Sequence, residues 1–132
     1  MSSFEIEKNL EISSAEIERL RALVGWPNQA GYDKILAGSY SHFSVKKDGL
    51  LIGFLNVISD GVLDALLVDL MVHPAHQKQG IGQKMLSAAI SSLTSDGIRY
   101  IQLIFIAELQ DFYKKCGFKD FQMAVLIDNS SL

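Results

Sequence analysis

An almost unbroken apolar run, Leu66-Leu67-Val68-Asp69-Leu70-Met71-Val72, stops at Pro74. After a turn containing Gly80 and Gly82 it gives way to an apolar stripe at Ile81, Met85 and Ala89, with Leu86, Ile90 and Leu93 beside it. The first run has the length and apolar density of a strand covered on both faces, and the second has the 3.6-residue period of a helix. The stretch from Leu66 to Leu93 is therefore a strand, a turn and a helix, around which the remaining elements must pack. Gly80 and Gly82 each cost about 1 kcal/mol in a helix interior, so their place in a first turn needs a reason. Without a Cβ, a ligand can lie against the backbone, and the unpaired N–H groups at the positive end of a helix dipole suit phosphate oxygens. Lys78 and Lys84 add mobile positive charge. The alternative is that the two glycines only allow close helix–strand packing. Asp69 carries a further constraint: a carboxylate in so apolar a strand costs several kcal/mol to bury unpaired, so it must be hydrogen-bonded or line a wet cavity.

The spacing Gln77-x-x-Gly80-x-Gly82, after a strand ending Val72-x-Pro74, resembles the acyl-CoA pyrophosphate loop of the GNAT superfamily of N-acyltransferases. Two rival phosphate loops do not fit: no Gly-x-x-x-x-Gly-Lys-Ser/Thr occurs, and the dinucleotide fingerprint needs glycines at other positions. Downstream, Phe112-Tyr113-Lys114-Lys115-Cys116-Gly117-Phe118 is similar to the same family's Phe-Tyr-x-x-x-Gly-Phe signature. The resemblance implies acetyl-CoA as the acetyl donor. Its pyrophosphate would lie on Gln77, Lys78, Gln79, Gly80, Ile81, Gly82, Gln83 and Lys84, with Phe112 and Lys115 alongside. Its pantetheine would pair with the backbone of Leu70, Met71 and Val72 like an added strand, in the gap where two neighbouring strands splay apart.

Acetyl transfer asks for a neutral amine, a polarised thioester, a stabilised oxyanion and a proton for the leaving thiolate. An alkylammonium of pKa ~10.4 is neutral in about one molecule in 10³ at neutral pH, so a base is useful. A backbone N–H of Met71 or Val72 is the expected oxyanion donor, worth roughly 3 kcal/mol. Tyr113, whose ordinary pKa of about 10 keeps it protonated, is the expected acid toward a thiolate of pKa ~8.5. Family members of the histone type often carry a glutamate where this chain has Leu66, which cannot serve as a base. A closer likeness points to Asp69. The runs Val68 to Pro74, Gln77 to Gly82, Asp111 to Lys114 and Val24-Gly25-Trp26-Pro27 together resemble a GNAT branch that includes plastid serotonin N-acetyltransferases and small bacterial proteins. That branch has an aspartate at the position of Asp69. Where it tends to have an Ala-Asp-Ser-like segment, this chain has Ile106-Ala107-Glu108, leaving Glu108 with Trp26 and Tyr32 as expected acceptor contacts. A small-molecule amine is the expected acceptor; a protein or peptide acceptor, or a silent CoA-binding module, are the alternatives.

Composition limits the rest. The 132 residues, 48% of them hydrophobic, suit one domain over 1–132. A net charge of −3, with no Lys/Arg run longer than two, argues against a nucleic-acid partner. No apolar run reaches a membrane span, and Met1-Ser2-Ser3-Phe4-Glu5 lacks the basic and apolar regions of a signal peptide. The single Cys116 suits the cytoplasm and reads as a small buried hydrophobe, and a homodimer is possible. His73 and His76 have too few neighbouring ligands for a metal site.

Local signals predict the other elements. An edge strand is expected within Phe4–Leu10. Ser13 and Glu16 form a capping box for a helix carrying Ile17, Leu20, Leu23 and Val24 and stopped by Gly25. A short helix follows near Tyr32. Strands from Ser41 and over Leu50–Val57 are joined by Asp48-Gly49, and Asp60-Gly61 repeats that device before a central strand Val62–Val72. A strand at Ile98–Ile106, a helix at Ala107–Cys116 and a strand at Phe121–Ile127 complete an α+β fold: a mixed, mostly antiparallel sheet with helices on both sides.

Overall fold

The computed structural model describes residues 4–105 and 107–119. In chain order these form β1 (Glu7–Lys8), α1 (Ser14–Leu23), α2 (Tyr32–Ala37), β2 (Ser41–Lys47), β3 (Leu50–Ser59) and β4 (Asp64–Val72). A 3-10 turn (Pro74–His76) leads into α3 (Ile81–Ser95), β5 (Tyr100–Leu103), a second 3-10 turn (Ala107–Leu109) and α4 (Gln110–Lys115). The sheet order is β1-β2-β3-β4-β5; the first four strands are antiparallel, and β5 joins β4 in parallel through the α3 crossover. No helix among the described residues is long and apolar enough to cross a membrane.

Two apolar clusters hold the layers together. On one face, Ile81, Met85, Leu86, Ala89 and Leu93 of α3 pack on Phe43, Val45, Leu55, Val57, Ala65 and Leu67. On the other, Ile17, Leu20 and Tyr32 of α1 and α2 cover Leu51, Phe54 and Met71. Gly53 permits the first contact, since a Cβ there would stand 3.1 Å from Met85 Cε and 3.2 Å from Ile81 Cγ2. Local chemistry sets α1 as its sequence predicts. The Glu16 N–H donates to Ser13 Oγ, the Ser13 N–H donates to Glu16 Oε2, and Gly25 ends the helix at φ 82°.

Asp48-Gly49 is the expected two-residue hairpin turn, both residues having positive φ (52° and 80°). Asp60-Gly61 is not. Asp60 Oδ1 accepts from the N–H groups of Val62, Leu63 and Asp64, which wraps a wider loop, so β4 begins at Asp64 rather than Val62. The Leu63 carbonyl then takes the N–H groups of both Arg99 and Tyr100. This arrangement starts β5 at Tyr100 instead of Ile98, and the strand ends at Leu103. The first edge strand is likewise reduced to Glu7–Lys8. The strand expected at Phe121–Ile127, and Ile106, lie outside the described residues.

The expected unbroken strand also contains a break in register. Asn56 faces Val68, whereas Phe54 faces Met71, so Leu55 stands opposite Asp69 and Leu70 together. This is a β-bulge with Asp69 in the left-handed region at φ 59°. The extra residue inverts the alternation of β4. Ala65 and Leu67 point to the α3 layer; beyond the bulge Leu70 and Val72 pack on that layer, and Met71 joins the α1/α2 layer. Asparagine and aspartate tolerate this conformation better than any branched apolar residue.

Candidate active site at the bulge of the central strand

The bulge decides where the Asp69 carboxylate goes. Without it, the parity of Ala65 and Leu67 would send Asp69 into the α3 core, where its charge would be unpaired. With it, Asp69 meets α1 and α2: the Tyr32 hydroxyl donates to Oδ2 at 2.8 Å, and Arg21 Nη1 lies 3.8 Å from Oδ1. Arg21 Nη1 also donates to the Tyr32 hydroxyl oxygen at 2.9 Å, and its Nε donates to the Pro27 carbonyl at 2.9 Å. The guanidinium stands 5.3 Å from the centre of the Trp26 ring. Burial, with Asp69 next, pushes the Tyr32 hydroxyl up to about 12, so it holds its proton and serves as a donor to the carboxylate. Tyr32 was expected to touch the acceptor. It is instead a buried support for Asp69, 1% exposed, while Trp26 keeps an exposed face.

Arg21 gives little sign of itself in the sequence, because a basic residue in a helix's last turn ordinarily reads as a solvated partner of the dipole. The signal available was Trp26-Pro27 just beyond the helix stop, which turns the chain back over that last turn.

Tyr32→Phe keeps the buried ring but leaves Arg21 Nη1 and Asp69 Oδ2 each short of a partner. A loss of about 1–3 kcal/mol is expected, read as a lower urea midpoint at unchanged slope. The pH dependence has a definite sign. The folded hydroxyl titrates above its ordinary value of 10, so its contribution is complete below pH 10 and is lost as pH rises toward about 12. The Phe variant should lack that alkaline loss.

On its other edge β4 is open. Its parallel pairing with β5 ends at Leu67 opposite Leu103, and Val68 to Val72 have no strand partner on that side among the described residues. Which backbone groups face the opening follows from the ladder. The His73 N–H donates to Ile52 O at 2.7 Å, so His73 and, two residues back, Met71 direct their polar groups toward β3. Leu70 and Val72 face the open edge. The expectation that Met71 would donate there is thus corrected, and its side chain is 1% exposed in the α1/α2 layer.

Beyond β4, the Gln77 side chain donates to the Val72 carbonyl at 3.0 Å, so it shapes the turn rather than reaching outward. His73 Nδ1 accepts from the Ala75 N–H, and Lys78 has positive φ. Gly80, at φ 85°, is the N-cap of α3 and brings no side-chain cap. The first bond of the helix runs from the Lys84 N–H to Gly80 O, which leaves the N–H groups of Ile81, Gly82 and Gln83 without intrahelical acceptors. Lys78, Gln79, Gln83 and Lys84 are exposed around this end, and Ile81 can offer only its backbone because its side chain is core. A groove of about 520 Å³ runs beside it, lined by Ile6, Gly80, Gln83, Lys84 and Ser87.

A Cβ at Gly82 would meet Phe112 Cζ at 3.6 Å, Val72 Cγ2 at 3.7 Å and Leu70 Cδ2 at 4.0 Å, all ordinary contacts. Helix–strand packing therefore does not by itself demand glycine at this position. Phe112 closes this corner from α4. Tyr113 stands behind it, buried among Phe105, Phe112 and Phe118 at ring separations of 5.0, 5.1 and 6.2 Å. Its hydroxyl makes no hydrogen bond to a described residue, and burial, then Cys116, raises its pKa. Lys115 is exposed near the end of α4, and Glu108 is exposed on the second 3-10 turn. The described residues contain no group of three or more His, Cys, Asp or Glu that could hold a metal ion. Asp69 thus belongs to the α1/α2 face and Tyr113 to the α3 face of the sheet.

Residues 38–120 match the acetyltransferase (GNAT) domain family. An uncharacterized N-acetyltransferase ycf52 of Gracilaria tenuistipitata var. liui is 28% identical over 116 residues, covering 83% of this chain and 64% of that protein. Its counterpart in Pyropia yezoensis is 30% identical, covering 86% and 68%. The chloroplastic GCN5-related N-acetyltransferase 3 of Arabidopsis thaliana is 38% identical over 76 residues, covering 58% of this chain and 32% of that one. The chain thus spans a third to two thirds of these relatives' lengths. The fold agrees with that of a probable acetyltransferase from Staphylococcus aureus (TM-score 0.82, 20% identity, 94% and 99% coverage). A GNAT family protein of Streptococcus pneumoniae agrees equally well (TM-score 0.82, 22% identity, 96% and 99% coverage). The family match spans β2 to α4, including the open edge, the glycine turn and the Phe112-Tyr113 pair, and the chain belongs to the GNAT acetyltransferase family.

Proposed function

We propose that this chain transfers an acetyl group from acetyl-CoA to the primary amine of a small molecule, by direct attack of the amine on the thioester. The observation that carries the reading is the open edge of β4, with Asp69 on one face of the sheet, Tyr113 on the other and the uncapped start of α3 at its end. Those features fit acetyl-CoA: unclaimed N–H groups, no acidic residue in the first turn of α3, and lysines on either side of it. When bound, acetyl-CoA supplies the activated acyl group. Ile81, Gly82 and Gln83 hold phosphate oxygens through their N–H groups, with Lys78, Lys84 and Lys115 adding charge. Leu70 and Val72 align the pantetheine as an added strand, and the N–H of one of them faces the carbonyl oxygen that gains charge. Asp69 accepts the proton of the amine, directly or through water, and Tyr113 holds a proton on Oη for the departing sulfur. Trp26 and Glu108 are left to contact the acceptor. A single cysteine suits a reducing compartment such as the cytoplasm.

The test is release of free thiol from acetyl-CoA over a panel of small amines and peptides; turnover confined to peptides would overturn the small-molecule assignment. Asp69→Asn sharpens it. Asparagine accepts the left-handed bulge and the Tyr32 hydrogen bond but carries no charge. Turnover should fall roughly 10²-fold at neutral pH and recover in part as rising pH supplies free amine. A pH–rate profile of unaltered shape would return Asp69 to a purely structural role.

A further inference from the structure

We infer that Arg21 sets the charge preference of the acceptor site, favouring amines whose remaining body is neutral or anionic over diamines, polyamines and lysine-rich segments; the inference rests on the acceptor-amine reading above. Arg21 is not placed like a surface residue. Its side chain is 13% exposed, and both edges of its guanidinium are used: Nε on the Pro27 carbonyl, Nη1 on the Tyr32 hydroxyl. With the Trp26 ring over it as well, the planar fork cannot turn without losing several contacts.

At 3.8 Å the approach of Nη1 to Asp69 Oδ1 is too long for a hydrogen bond. Oδ2 is occupied by Tyr32, and no described residue donates to Oδ1, which leaves that oxygen for an incoming amine. The charge is a separate matter. A lone carboxylate at this point would draw in any polycation, whereas Asp69 and Arg21 together sum to zero. One ammonium can still meet Oδ1. A second ammonium on the same short molecule meets the fixed guanidinium, for which Asp69 is the one ion-pair partner among the described residues, while on α1 Glu16 is already paired with Lys46. Like charges about 6 Å apart at an effective dielectric near 20 repel strongly enough for a preference of at least tenfold.

The experiment compares kcat/KM for pentylamine and for the α,ω-diamine of the same chain length, using the wild type, Arg21→Met and Arg21→Lys. The expected result is a preference of about tenfold or more for the monoamine in the wild type. Arg21→Lys should keep it, and Arg21→Met should shrink it below about threefold. Arg21→Gln, which retains a donor for Tyr32, gives the same reading if Arg21→Met does not fold. Equal use of both amines by the wild type, or a folded neutral variant with the wild-type preference, would overturn the inference while leaving the acetyltransferase reading intact. No turnover by the wild type of these two amines or of any small amine on the panel above would overturn both.

Discussion

Replacing Gly82 by aspartate should abolish acetyl-CoA binding, lowering affinity by about 10³-fold or more. The site of the new side chain is known from its neighbours: a Cβ there faces Phe112, Val72 and Leu70, at the corner where the open edge of β4 meets the first turn of α3. A carboxylate at that corner brings bulk and like charge against a pyrophosphate that needs the adjacent N–H groups. The fold itself should survive, because an acidic residue in a helix's first turn is favourable by about 0.3–1 kcal/mol. Gly82→Ala serves as the control. Its methyl group fits in ordinary contact, so binding should stay within a few-fold and the melting temperature should hold or rise, by up to about 1 kcal/mol of stability. Calorimetric titration of the two variants with acetyl-CoA separates the effects; unchanged affinity in the aspartate variant would remove the turn from the binding site.

Tyr113→Phe should lower turnover roughly 10²-fold while leaving acetyl-CoA affinity within a few-fold. The structure makes this substitution unusually clean. The ring is fixed by three aromatic neighbours, which phenylalanine keeps, and the hydroxyl makes no hydrogen bond to a described residue that the variant would lose. Burial raises the pKa of Tyr113, so the proton is present throughout the neutral range. Stability should move by no more than about 0.5 kcal/mol, which lets single-turnover rates be compared directly. Equal rates would leave Tyr113 a packing residue and require solvent to protonate the thiolate.

What could be read in advance follows from the range of the interactions. The capping box at Ser13, the helix stop at Gly25 and the Asp48-Gly49 turn depend on residues within a few positions of one another, so the sequence displays them. The Gln77-to-Gly82 turn and the Phe112-Tyr113 pair carried the family in the same way. The bulge does not belong to that class. It is a relation between β3 and β4, and only the polar Asp69 in an apolar run hinted that the strand was not uniform. Met71 was misassigned for the same reason: which edge a residue faces depends on the ladder, here fixed by His73 bonding to Ile52. Asp60-Gly61 matched a hairpin pair, yet the Asp60 side chain gathers three N–H groups and opens the loop. Arg21 and Tyr32 escaped because their partner, Asp69, lies far along the chain.

The left-handed backbone at Asp69 also shapes which sequences lie near this one. Two filters act on that position independently, one on shape and one on charge. Glycine, asparagine and aspartate pass the first; of these, only aspartate passes the second, which the proposed base role imposes. Codons for aspartate and asparagine differ by a single base. A chain that keeps the whole fold, the bulge and the tyrosine contact but lacks the carboxylate is therefore one point mutation away, and under the role proposed for Asp69 that one-letter change is where loss of acetyl transfer should be sought.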